Sequence, residues 1–192
     1  KTLAGSSREK ITEGLDNLRE RLNDYNNLGA DFTKWRAVIS IYQDSLPSKA
    51  CIQANAHALA RYASLCQEND LVPIVEPEII MDGAHSIEKC YEVTKKTLNA
   101  VFDELYLFNV LLEGIVLKPN MILSGLNNTN SDNPEKVASL TVKCLTESVP
   151  ENVPGIAFLS GGQESDIATT HLNLMNKLCK KKETPWNLTF SF

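Results

Sequence analysis

Three segments of this chain carry residues whose types and spacing could do covalent chemistry on a carbonyl compound. Lys118 ends the apolar run in Glu113-Gly-Ile-Val-Leu-Lys-Pro-Asn-Met121, just before a proline. If that run is a buried strand, its last side chain opens into a pocket, and a desolvated lysine there is an amine able to attack a carbonyl carbon. Val72-Pro-Ile-Val-Glu-Pro-Glu78 places two carboxylates at the end of a second apolar run, and Phe158-Leu-Ser-Gly-Gly-Gln163 follows a third with a serine and a glycine pair. The chemistry this describes is imine formation: an amine nucleophile, acids to move protons, and a loop able to hold an anion.

Side chains two apart on a strand share a face and lie roughly 6 to 7 Å apart. Glu76 and Glu78 therefore point the same way, as do Lys34 and Arg36, while Trp35 and Pro77 face the opposite side. A neighbouring cation and loss of water both favour the neutral, nucleophilic form of a lysine, and Lys34 is such a cation if it reaches the same cavity. Ser160, Gly161 and Gly162 resemble a phosphate cradle, since glycines let backbone amides approach an anion closely and the serine adds a donor. Each feature has a plainer reading: a lysine whose stem covers apolar surface while its head stays wet, a solvated strand end, an ordinary turn. The pairs recur in register, which a solvated strand end does not require.

The elements that must position these residues are legible as alternating β-branched runs and helical patterns, the mark of consecutive βα units and a parallel sheet. Strands are expected at residues 34–40, 71–75, 114–117, 155–159 and 186–190. Helical stripes are expected at Leu15, Leu18, Leu22 and Tyr25; at Ile52, Ala56, Leu59 and Ala63; at Ile87, Tyr91, Leu98, Phe102 and Leu105; at Val137, Thr141 and Cys144; and at Ile167, Leu174 and Leu178. Asn133-Pro134 reads as a helix start. The polar landmarks recur at 42 positions from Lys34 to Glu76, 40 from Glu78 to Lys118 and 42 from Lys118 to Ser160, so each falls at one rim of the sheet. In a βα barrel that rim carries the chemistry. Five strands do not close a barrel, which needs eight and typically about 250 residues, so residues 1–192 are expected to form a single domain that is the latter part of a larger barrel. On their own, the terminal strands would present open edges.

Bulk composition excludes several other classes. The net charge is −5, with acidic and basic residues intermixed, so there is no broad cationic face for nucleic acid or anionic lipid. The five cysteines are scattered and never spaced as Cys-x-x-Cys, which fits a reducing, cytoplasmic setting rather than a disulfide framework. Apolar runs are strand-sized, so neither a membrane span nor a signal peptide is expected. His57, His85 and His171 form no metal-binding spacing, and packing or solvent roles are expected for all three.

From about Leu3 to Phe192 the chain resembles the class I fructose-bisphosphate aldolases, the metal-free Schiff-base type. The resemblance is carried by Gly29-Ala-Asp-Phe-Thr-Lys-Trp-Arg36, Ala60-Arg-Tyr-Ala-Ser64, Val72-Pro-Ile-Val-Glu-Pro-Glu78, the lysine motif 113–121, the Ser-Gly-Gly motif 158–163 and Pro185-Trp-Asn-Leu-Thr-Phe-Ser191. It implies a (β/α)8 TIM barrel, of which this chain supplies roughly the last five strands, and a cytoplasmic homotetramer. The implied reaction cleaves fructose 1,6-bisphosphate reversibly to dihydroxyacetone phosphate and glyceraldehyde 3-phosphate, with no cofactor beyond the covalent imine and no metal. It further implies Lys118 as the imine-forming lysine, Glu76 as the acid/base and Glu78 and Lys34 as companions. Arg36 would receive the far phosphate, and Ser160 with Gly161 the phosphate nearest the imine. The sequence stops where the family's next phosphate-binding arginine should follow, and lacks the first strands and the C-terminal tail. These residues alone are therefore expected to turn over little or no substrate. Two alternatives remain at this level: a non-catalytic aldolase-like scaffold for protein partners, and a related Schiff-base lyase acting on a different sugar.

Overall fold

The structure, a computed structural model, describes residues 1–43, 45–129 and 132–190. Strands and helices alternate: α1 (Leu18–Asn27), β1 (Phe32–Ile39), α2 (Lys49–Glu68), β2 (Val72–Ile79), α3 (Ile87–Leu107), β3 (Val116–Leu117), α4 (Pro134–Ser148), β4 (Gly155–Phe158), α5 (Ser165–Lys182) and β5 (Asn187–Phe190). All strand pairings are parallel and follow chain order, β1-β2-β3-β4-β5. Consecutive helices pack beside one another, α2 on α3, α3 on α4 and α4 on α5. Ser191 and Phe192, at the end of the last family motif, lie outside the described residues.

Local chemistry starts the helices where the strand-to-helix loops end. The Ser48 hydroxyl accepts from Cys51 N at 3.1 Å, Ser86 accepts from Lys89 N at 3.2 Å, and Asn133 accepts from Glu135 N at 2.8 Å, with Pro134 in the first turn. Each cap satisfies a backbone N–H that the helix leaves without a partner. The core lies between the sheet and the helices: Trp35, Ala37 and Ile39 of β1 and Val75 and Ile79 of β2 meet Leu59, Ala63, Leu98 and Phe102. Tyr62 of α2 stacks on Trp35 with ring centroids 5.4 Å apart. Its hydroxyl lies 2.8 Å from Thr33 Oγ1 and 3.5 Å from the Ile74 carbonyl, tying β1 to β2.

Two helical stripes differ from expectation. Leu15 precedes α1, whose buried face is only Leu18 and Leu22, with Tyr25 40% exposed. On α5 the buried face is Ala168, His171, Met175 and Cys179, one position on from the expected Ile167, Leu174 and Leu178; Ile167 is 49% exposed. Leu174 and Leu178 are partly buried against the core as expected, while a small alanine and a hydrogen-bonded histidine complete the face in place of Ile167. The strands also shift: β2 runs on through Glu76 and Glu78 to Ile79, whereas β3 has only two residues.

Candidate active site

The residues singled out on the three motifs converge at the C-terminal ends of β1 to β4. Lys34, Arg36, Glu76, Glu78, Lys118, Leu159, Ser160 and Gly161 line one open cleft of about 340 Å³. Strand register explains the convergence. Arg36 is opposite Glu76 and Val38 opposite Glu78 in the β1–β2 pairing, and Val75 is opposite Leu117 in the β2–β3 pairing. The residue after Leu117 is Lys118, whose N–H donates to the Val75 carbonyl at 2.8 Å, so lysine and Glu76 leave adjacent strands at the same level.

The floor of the cleft is buried and charged. Lys118 Nζ lies 3.3 Å from Glu76 Oε1, with the two side chains 7% and 4% exposed. Lys118 is thus not a lysine with its head in water. Lys34 Nζ approaches the other carboxylate oxygen, Oε2, at 3.1 Å. That oxygen accepts no aligned hydrogen bond, so the Lys34 contact is a charge attraction rather than a directed bond. Arg36 Nε donates to Glu78 Oε2. The hydrogen bond from Arg36 to Glu78 holds the guanidinium even more firmly protonated than usual, against the opposing effect of burial. Lys34 and Arg36 are 45% and 50% exposed, so both keep donors facing the open side of the cleft.

The Ser160 turn forms the opposite wall. Gly162 adopts φ +77°, which favours glycine, and a Cβ on Gly161 would lie 3.2 Å from Leu159 Cδ1 and 3.5 Å from Glu78 Oε1, so the turn is close-packed there. Gln163 anchors it. Its backbone N donates to the Ser160 carbonyl at 3.0 Å, its Oε1 pairs with His171 Nδ1 at 2.8 Å, and its Nε2 reaches Met121 Sδ at 3.5 Å. Burial pushes the His171 imidazole below its ordinary range, with Asp132 opposing, a shift that favours its neutral form. His85 stands just before α3 and is shifted the same way, again mainly by burial. His57 contacts Glu104 on the outer surface at 3.1 Å, away from the cleft.

The rim loops lock together through another close approach. Gly125 N, Leu126 N and Asn127 N donate to the carbonyls of His85, Met81 and Gly83 at 2.8 to 2.9 Å. A Cβ on Gly125 would sit 2.3 Å from the Gly83 oxygen.

Sequence reasoning missed Asn120. It is 3% exposed, and its side chain bridges the end of β2, the lysine loop and α3. Its position two residues beyond the lysine, in a run with little other polarity, was the available signal.

A parallel βα sheet with an amine, two carboxylates and a serine–glycine turn on one rim has the architecture of part of a βα barrel. The family model described as fructose-bisphosphate aldolase class-I matches residues 1–192. A probable fructose-bisphosphate aldolase class 1 of Xanthomonas campestris is 56% identical over 190 residues, covering 99% of this chain and 56% of the relative. Fructose-bisphosphate aldolase 4, cytosolic, of Arabidopsis thaliana is 50% identical, covering 99% of this chain and 48% of the relative. A solved structure of Plasmodium falciparum fructose-bisphosphate aldolase, in complex with TRAP and a small-molecule inhibitor, superposes with a TM-score of 0.95 at 47% identity, covering all of this chain and 55% of that one. The chain belongs to the class I fructose-bisphosphate aldolase family. It spans about half the length of the curated relatives it matches.

Proposed function

We propose that the protein containing this chain cleaves fructose 1,6-bisphosphate reversibly to dihydroxyacetone phosphate and glyceraldehyde 3-phosphate through an imine on Lys118. The observation that carries this reading is the buried Lys118–Glu76 pair at 3.3 Å, on the same cleft as the Ser160 turn. Glu76 takes the proton of the paired Lys118 ammonium, the freed amine adds to the C2 carbonyl, and Glu76 returns the proton to the departing hydroxyl, so that water leaves and an iminium forms. Glu76, now ionised, takes the proton from the C4 hydroxyl. The C3–C4 bond then breaks, its electron pair flows to the iminium to give an enamine, and the C4 aldehyde departs. Protonation at C3 and addition of water release dihydroxyacetone phosphate and restore the amine.

Lys34 supplies positive charge beside Glu76 and the substrate. Glu78 orients Arg36, which receives the phosphate at C6, and Ser160 with the Gly161 amide holds the phosphate at C1. One continuous core supports treating residues 1–192 as a single domain. The name of the plant relative supports a cytoplasmic setting, and we extend the reading to a homo-oligomer on family resemblance. The test is borohydride treatment of the full-length protein with fructose 1,6-bisphosphate. A reduced adduct should map to Lys118 and vanish in Lys118→Met; an adduct that persists in that variant would move the nucleophile elsewhere.

A further inference from the structure

The lysine centre depends on Lys118 staying level with Glu76, yet the sheet that should enforce this is nearly empty of backbone bonds there. β3 ends at Leu117. Beyond it, Lys118 N donates to Val75 O at 2.8 Å, while Pro119 faces the other way, its carbonyl accepting from Leu159 N at 3.2 Å on the β4 side. β2 offers few donors there. Ile80 N donates to Ile39 O of β1, and since successive N–H groups of a strand point to alternate neighbours, residues 77 and 79 face β3. Pro77 has no N–H. The remaining donor on that flank is Ile79 N, and it donates to Asn120 Oδ1 at 3.0 Å. An amide side chain therefore stands in for the missing rung between the carboxylate strand and the lysine loop.

The substitute rung is held rigidly. A backbone N–H can only donate, so the Ile79 contact sets which end of the amide is oxygen. The Nδ2 end donates to Thr94 Oγ1 of α3 at 3.1 Å and to Met121 O at 3.0 Å, with Cys90 Sγ at 3.8 Å. Asn120 and Thr94 are both 3% exposed, so water does not compete for these bonds.

We propose that Asn120 is a positioning residue for the lysine centre, fixing the Lys118 loop against the end of β2 so that the amine meets Glu76 at bonding distance. The proposal rests on the imine reading of Lys118. The test uses the full-length protein and follows borohydride-trapped adduct on Lys118 in single turnovers across pH, together with kcat and KM. Asn120→Ala removes the rung, and a displacement of the reacting groups by about 1 Å corresponds to roughly 100-fold in rate. Imine formation should slow by that order at saturating substrate, with a displaced pH profile and KM within threefold. Asn120→Asp keeps an acceptor for Ile79 N; at this buried position its carboxyl is held neutral, so its O–H can still donate to the Met121 carbonyl while the Thr94 hydroxyl turns to donate to it, and it should recover at least tenfold of the loss. An Asn120→Ala protein that melts cooperatively and forms the imine at the unmutated rate overturns the proposal, as does Asn120→Asp being as slow as Asn120→Ala. If Asn120→Ala does not fold, Thr94→Val decides: it loosens the amide while leaving its oxygen in place. Slowing of threefold or more with the displaced pH profile supports the proposal, and an unchanged rate overturns it. Absence of adduct in the unmutated protein overturns the imine reading and this assignment together, whereas an unaffected Asn120→Ala variant overturns the assignment alone.

Discussion

Lys118 Nζ and Glu76 Oε1 face each other across 3.3 Å with almost no water around either side chain. In that setting the carboxylate stabilises the ammonium and is also placed to return a proton to whatever the amine has attacked. A pair this buried is costly to break by removing one partner. On the buried floor of a cleft such a pair is better suited to proton transfer than to stability.

Glu76→Gln keeps the volume and removes the acid. General acid–base groups contribute about 10²- to 10⁴-fold, so trapping of the Lys118 adduct should slow within that range while substrate binding changes little. Rapid quench with borohydride measures the first, and equilibrium competition with a substrate analogue the second. Imine formation at an undiminished rate would assign the acid to another group.

Gly125→Ala should destabilise the rim without touching the chemistry directly. The added Cβ would lie 2.3 Å from Gly83 O, which is backbone and cannot rotate away. Overpacking of this kind costs about 1 to 3 kcal/mol, so the denaturant midpoint should fall. A variant as stable as the parent would show that the two loops separate freely.

Glu9 gives a pH dependence remote from the cleft. It is 3% exposed, and it accepts from Ser48 N at 2.7 Å and Ser48 Oγ at 2.8 Å, pinning the N-terminal segment to the start of α2. Burial raises its pKa, but hydrogen bonds from the Ser48 backbone and hydroxyl, with further ones from Ser6 and Cys51, outweigh burial and leave it lowered. A carboxyl whose folded value lies below its unfolded value contributes stability that is fully present above the unfolded value and is lost as pH falls through the folded one. Glu9→Gln should therefore cost about 2 kcal/mol at pH 7, a typical loss for hydrogen bonds to a charged group. The difference should shrink as pH falls below the ordinary carboxylate range. Urea unfolding at neutral and acid pH checks both signs; a gap that widens in acid contradicts the assignment.

Much of the architecture was legible in the residues because βα units announce themselves locally. Short apolar runs, 3.6-residue stripes and the helix start at Asn133-Pro134 depend on neighbours in sequence. Where the reading was incomplete, on α5, Leu174 and Leu178 pack on the core as expected but the fully buried positions include His171, whose ring meets Gln163, and no local count of apolar residues contains that information.

The sequence by itself determined which side chains share a strand face and that Lys34, Glu76, Lys118 and Ser160 fall at one rim, since strand alternation and repeat length are properties of the chain. Only the tertiary structure decided that Glu76 stands between two ammonium groups, that Arg36 is engaged by Glu78, and that Asn120 replaces a sheet rung. These follow from the register between strands some forty residues apart. Such a register is set by packing and by which backbone donors Pro77 leaves available, not by any one segment.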